Sequence, residues 1–199
     1  MNHLLPKRHP VLEEMEALAA RNRIPIVGPA VGRLLYQLGK FAGAKRIFEM
    51  GSAIGYSTIW WAQSLQPGGK VFYSDGSAEN AKKADDFITR AGVRDRTELL
   101  VGNSLDLIDT VEGEFDVIFN DVDKHYYADV YRKVADRVRI GGVLVADNVL
   151  WSGRVADLSL NDPNTEAIRS FNQMLFADKR YYSTIMPLRD GVAIGIRTE

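Results

Sequence analysis

The stretch Lys45 to Ala62, KRIFEMGSAIGYSTIWWA, narrows the fold more than any other part of the chain. A short apolar run, Ile47 to Met50, meets Gly51-Ser52-Ala53-Ile54-Gly55 and then a helical pattern from Tyr56 onward. Strand, glycine turn and helix in that order open a nucleotide-binding α/β unit. The glycines let a ligand come close to the backbone, and the free N–H groups at the helix start can hold its polar atoms. Gly51 and Gly55 do not make the three-glycine dinucleotide fingerprint, because Ser57 stands near the third place. An acid, Glu49, precedes the turn, and a second, Asp75, ends the next apolar run, Lys70 to Ser74. A carboxylate at that strand end can accept hydrogen bonds from ribose hydroxyls, so the pair of features favours a nucleoside ligand over a plain tight turn.

The rest of the chain extends the pattern. Strands are expected at Arg46–Met50, Lys70–Ser74, Glu98–Val101, Phe115–Asn120 and Gly142–Asp147. Helices are expected between them at Ser57–Leu65, Ala78–Ala91, Leu105–Val111 and Tyr126–Val138. This alternation predicts an α/β fold with a doubly wound, mostly parallel sheet. A helix over Glu166–Phe176 follows, then Tyr182–Leu188 and Val192–Arg197 flank Arg189-Asp190-Gly191, a hairpin signal. The sheet should therefore end in an antiparallel pair. Ahead of the core, residues 1–10 read as a poorly ordered arm broken by Pro6 and Pro10, with helices at Val11–Asn22 and Ala30–Phe41. The length of 199 residues fits one domain over 1–199, with 1–41 as its N-terminal helical segment.

Composition excludes several classes. There is no cysteine, hence no disulfide, thiol nucleophile or thiolate metal site, which fits a cytoplasmic location. The formal net charge of −1 gives no global attraction to nucleic acid or membrane. No apolar run is long enough to span a membrane, and the opening MNHLLPKRHP lacks the apolar core of a signal peptide.

Ligands of open α/β sheets sit at the carboxyl ends of the strands. Two such ends are unusually polar here: Asp121-Val122-Asp123-Lys124-His125 and Asp147-Asn148. If both strands flank the first, Asp121, Asp147 and Asn148 offer three oxygen ligands, a set suited to Mg²⁺, or similarly Mn²⁺ or Ca²⁺. Each alone is also an ordinary turn or cap residue. Lys124 could act as a base near a metal, or be a solvated lysine at a helix start. His3, His9 and His125 have no ligand spacing, Tyr126 and Tyr127 read as helix packing, and Trp151 reads equally as a pocket wall or as core.

In combination, EMGSAIGYST, VFYSDGS, FDVIFNDVDKHYY, GGVLVADNVLWSGRV and MPLRDGVAIG resemble the cation-dependent O-methyltransferases of the caffeoyl-CoA and catechol type. The likeness runs from about Ile24 to Arg197. It implies the class I methyltransferase sheet and S-adenosylmethionine as cofactor, with a divalent cation and a catechol-like or phenolic small-molecule acceptor. It implies that Val27, Glu49, Gly51, Ser52 and Ser57 lie at or around the methionine part, Asp75 at the ribose and Ser104 on the adenine side. Asp121, Asp147 and Asn148 match the metal ligands, with Asp121 shared with the cofactor side, and Lys124 matches the general base. It also implies a homodimer. Asn120, Val122 and the surroundings of Asp75 depart from the usual pattern. A rival acceptor is a hydroxylated uridine in tRNA, for which Lys7, Arg8, Arg21 and Arg23 could form a local basic patch. A nicotinamide oxidoreductase is disfavoured by the glycine spacing, and a non-catalytic S-adenosylmethionine-binding protein by the presence of Asp121, Lys124, Asp147 and Asn148.

Overall fold

The computed structural model describes residues 7–199, so most of the expected N-terminal arm, Pro6 included, lies outside the described residues. Pro10 does not break the chain but opens the first helix, α1 (Pro10–Asn22), where its missing N–H is no loss. The helix α2 (Gly28–Phe41) begins two residues earlier than its apolar stripe suggests.

The core alternates as expected: β1 (Arg46–Met50), α3 (Tyr56–Ser64), β2 (Lys70–Asp75), α4 (Ala78–Arg90), β3 (Thr97–Val101), α5 (Ser104–Leu107), β4 (Phe115–Asn120), α6 (Tyr127–Val134), β5 (Val138–Ala146), α7 (Pro163–Ala177), β6 (Tyr181–Met186) and β7 (Val192–Arg197). Among the described residues, seven strands form one sheet in the order β3-β2-β1-β4-β5-β7-β6. The first five are parallel, while β7 pairs antiparallel with both β5 and β6. This is the class I methyltransferase architecture.

Apolar side chains on both faces of the central strands make two cores. One face of the sheet carries Ile47, Val71, Val117, Phe119 and Val145 beneath α1 to α4. The other carries Phe48, Phe72, Ile118, Leu144 and Ala146 beneath α6 and α7. The chain leaves β1 for β2 on one side and later returns to β4 on the other, so the sheet's switch point lies between β1 and β4. There the connections diverge and leave a crevice at the carboxyl ends.

Two expectations fail at one junction. The helix read as Tyr126–Val138 stops at Val134, and β5 starts at Val138 rather than Gly142. Val138 pairs with Phe115, and the register then jumps so that Val117 faces Val143, with Gly141 in the left-handed region between. The tight turns at Trp151–Ala156 were not anticipated either. Among the described residues no helix is long and apolar enough to cross a membrane.

Candidate active site

A cavity of about 1100 Å³ opens over the switch point. Gly51 shows why the turn must begin with glycine. Its φ is +83°, and a Cβ there would lie 2.5 Å from the Asp121 carbonyl oxygen. The end of β1 and the end of β4 are therefore in backbone contact, and Asp121 donates its N–H to Met50 O at 2.9 Å. One strand over, Asp147 N–H donates to Asn120 O at 3.1 Å. These two bonds extend the ladder one step past each strand and bring Asp121 and Asp147 to the same rim.

On the β2 and β3 side, Asp75 is tied into the turn. Its Oδ2 accepts from Ala53 N–H at 2.9 Å, and its Oδ1 accepts from Ser77 N–H at 2.9 Å and Asn80 Nδ2 at 3.1 Å. Ser74 Oγ, which donates to Glu49 O at 2.6 Å, lies 2.8 Å from Ser104 Oγ. Glu49 itself is fully buried. Thr58 donates a short hydrogen bond to its Oε2, while Oε1 has no partner. Burial pushes this carboxyl up to about 7, against the nearby hydroxyls of Ser57, Thr58 and Ser52.

On the β4 and β5 side, Lys124 Nζ donates to Asp121 Oδ1 at 2.8 Å, Tyr127 Oη at 2.9 Å and Val122 O at 3.3 Å. Three acceptors match the three protons of an ammonium group. Tyr127 is buried and passes the chain on, donating to Asp147 O at 2.7 Å. Burial raises the Asp121 carboxyl above its ordinary range, opposed by Lys124 and Arg189. Burial and the adjacent Asp121 charge push Asp147 up to about 7. Asp147 Oδ1 is buried with no hydrogen-bond partner.

Gly51, Asp75, Ser104, Asp121, Lys124, Asp147 and Asn148 all line the one cavity. Val27, Glu49, Ser52 and Ser57 do not line it and are buried, Val27 at the start of α2 and the other three at or beside the glycine turn. Trp151 is a wall of the cavity, and His125 and Tyr126 stand exposed at its rim. Two residues have parts that the sequence reading does not assign: Tyr127, which it reads only as helix packing and which does pack against Phe171, and Arg189, which it reads only as turn. Tyr127 had one available signal, its place three residues after Lys124 at a helix start. Arg189 had none beyond its turn, yet its side chain reaches the cavity and donates to Ile26 O at 2.8 Å.

The donor set suits a hard divalent cation. Two carboxylates share this rim, and one keeps a buried oxygen without a hydrogen-bond partner, which a cation would satisfy. Among the described residues no three His, Cys, Asp or Glu side chains gather, so a site here is two carboxylates and the Asn148 amide, open to water or ligand. The basic patch considered for tRNA is weakened: Arg8 is largely buried and paired with Glu16 at 2.8 Å.

Known O-methyltransferases resemble this chain in sequence and in fold. A family model described as O-methyltransferase matches residues 4–198. A catechol O-methyltransferase of Niastella koreensis is 33% identical over 200 residues, spanning 92% of this chain and 90% of the relative. The crystal structure of a Bacillus cereus O-methyltransferase in complex with SAH superposes with a TM-score of 0.88 at 32% identity, covering 98% of this chain and 94% of that one. TomG of Streptomyces achromogenes, an O-methyltransferase involved in tomaymycin synthesis and solved with SAM, gives 0.91 at 28% identity, over 99% and 93%.

Proposed function

The chain belongs to this O-methyltransferase family, and we propose that it is a cation-assisted member that methylates one hydroxyl of a small catechol-like or phenolic acceptor. It is an S-adenosylmethionine-dependent enzyme. The observation behind the cation and the acceptor is the crowded pair Asp121 and Asp147, beside Asn148, with a buried oxygen left unpartnered next to a held lysine.

S-adenosylmethionine, when bound, supplies a methyl group on a sulfonium, whose transfer to oxygen leaves a neutral thioether. Mg²⁺, or Mn²⁺ or Ca²⁺ in its place, when bound by Asp121, Asp147 and Asn148, supplies positive charge that favours ionisation of an acceptor hydroxyl. Asp75 offers the ribose hydroxyls its remaining lone pairs, and Ser104 sits on the adenine side. Gly51 lets the methionine part approach the backbone. Val27, at the start of α2, lies toward the methionine part, and Glu49, Ser52 and Ser57 hold the turn and the start of α3 in place from behind. Lys124 stands at the acceptor's oxygen and either receives its proton or, as an ammonium, stabilises the oxyanion. Its three acceptors favour the second role. Tyr127 is a positioning residue, fixing Lys124 relative to Asp147. Most of the catalysis is then orientation and charge stabilisation in a desolvated crevice.

Asp147→Ala tests the reading. By calorimetry the variant should bind S-adenosylhomocysteine as tightly as the parent, which reports an intact fold, while Mg²⁺-dependent binding of catechol disappears. Turnover should fall by at least 100-fold. Full activity of the variant in chelator would remove the cation from the mechanism. We also propose a homodimer, supported by an uncovered apolar strip along β6 and β7.

A further inference from the structure

Backbone strain in this protein gathers around the cavity. Among the described residues, six non-glycine residues have positive φ: Arg23, Ala53, Asn148, Trp151, Ser152 and Arg189. Ala53, Asn148, Trp151 and Arg189 line the cavity, and Ser152 adjoins Trp151. Such residues persist only where their surroundings fix them, and they concentrate at functional sites.

Arg189 is the least expected of them. It sits in the turn between β6 and β7 with φ +53°, where glycine would be free of strain. The turn has no freedom to relax. Val149 N–H donates to Gly191 O at 3.1 Å and Leu150 N–H to Asp190 O at 2.9 Å, while Ser152 N–H donates to the Asp190 carboxylate. Gly191 packs so closely that a Cβ would lie 2.4 Å from Leu150 Cγ. Arg189 is thus fastened to the segment that leaves β5 immediately after Asp147 and Asn148.

Its guanidinium is largely unspent. Of five N–H donors, one hydrogen bond goes to Ile26 O, and among the described residues Arg189 makes no ion pair. Sheet order puts β5 and β7 on the side of the switch point away from Asp75 and Ser104, which is the acceptor side. The charged side chains lining that side are Asp121, Asp123 and Asp147 against Lys124 and Arg189. Trp151, on the same wall, keeps its indole N–H buried and unpartnered.

We propose that Arg189 is a specificity-determining residue, and that the acceptor is a catechol bearing a carboxylate, which the guanidinium binds at the mouth of the cavity. A guanidinium fork matches a carboxylate in shape as well as charge. This rests on the catechol reading above and names the acceptor class within it.

The test compares 3,4-dihydroxybenzoate with catechol, using calorimetry in the presence of S-adenosylhomocysteine and Mg²⁺, and kcat/KM with the methyl donor. The parent enzyme should prefer the carboxylate by tenfold or more in affinity. Arg189→Gly, which suits the backbone, should bring the ratio within twofold. If Arg189 were only a latch to Ile26, its loss would weaken both ligands in proportion and leave the ratio intact, overturning the proposal. Equal affinities in the parent would overturn it while leaving the methyltransferase reading in place. If neither compound binds or turns over although S-adenosylhomocysteine binds, the catechol reading falls and this inference falls with it.

Discussion

Glu49 is an acid with no access to water, held between the glycine turn and the first turn of α3. Its pKa is about 7 in the folded chain, against an ordinary 4.5. Between those values the folded state holds a proton that the unfolded chain has released. Stability therefore falls as pH rises from about 4.5 and levels off above about 7. A shift of this size is worth up to about 3 kcal/mol. Glu49→Gln keeps the shape and the acceptor for Thr58 but cannot ionise. Its melting temperature should lose less than the parent's between pH 5 and pH 8, by about 5–10 °C for a chain of this length. Asp147 is also raised but is present in both proteins, so the difference isolates Glu49. Equal slopes would show that the carboxyl finds compensation when charged. Residues at strand ends, such as Asp75, Asp121 and Asp147, were legible because a carboxylate that ends an apolar run has few places to go. Tyr127 and Arg189 were not. Their parts depend on which carbonyl or cavity lies opposite, and only the assembled sheet decides that.

At the scale of elements, the central strands were legible to within a residue or two because short apolar runs are bounded by glycine or acid. The α6–β5 junction was not, because Ala135 to Val138 continue the apolar spacing of the helix. Pairing of Val138 with Phe115, a contact distant in sequence, outweighs that local pattern. The α2–α3 contact is a second case. Gly32 and Gly39 fall seven residues apart on one face of α2, where helix propensity argues against glycine. A Cβ at Gly32 would lie 2.3 Å from Trp60 Nε1, and one at Gly39 would lie 2.0 Å from Ser64 Oγ. Two glycines thus let α2 settle onto α3, which opens with the turn at the site. Gly32→Ala would gain about 1 kcal/mol of helix propensity but must displace a buried tryptophan, which typically costs about 1–3 kcal/mol. The variant should unfold at lower urea concentration than the parent and bind S-adenosylhomocysteine more weakly. A higher midpoint would mean that Trp60 yields without loss and that the close approach is incidental.

For the whole molecule, the two faces of the sheet are not covered alike. On the face beneath α6 and α7, the last strand is protected, and Tyr181 is buried. On the other face, α1 to α4 cover Val192 and Ile194 but stop short of the edge. Tyr182 on β6 is 78% exposed, and its cross-strand neighbour Ile196 on β7 is 43% exposed. Met186 lies further along the same side of β6. This strip combines apolar side chains with the unpaired backbone of an edge strand, a surface that soluble proteins usually cover or charge. A net charge of −1 gives little long-range repulsion between copies. A second copy is the occupant that the same chain can always supply, and a two-fold axis would set each strip against its twin. Sedimentation of the parent should therefore give twice the chain mass of 22.2 kDa. Tyr182→Glu should shift the protein toward monomer with its far-ultraviolet circular dichroism unchanged, since the side chain is outside the core. A parent that sediments as a monomer at micromolar concentration would rule out the homodimer. A Tyr182→Glu variant that remains dimeric would move the interface off this strip.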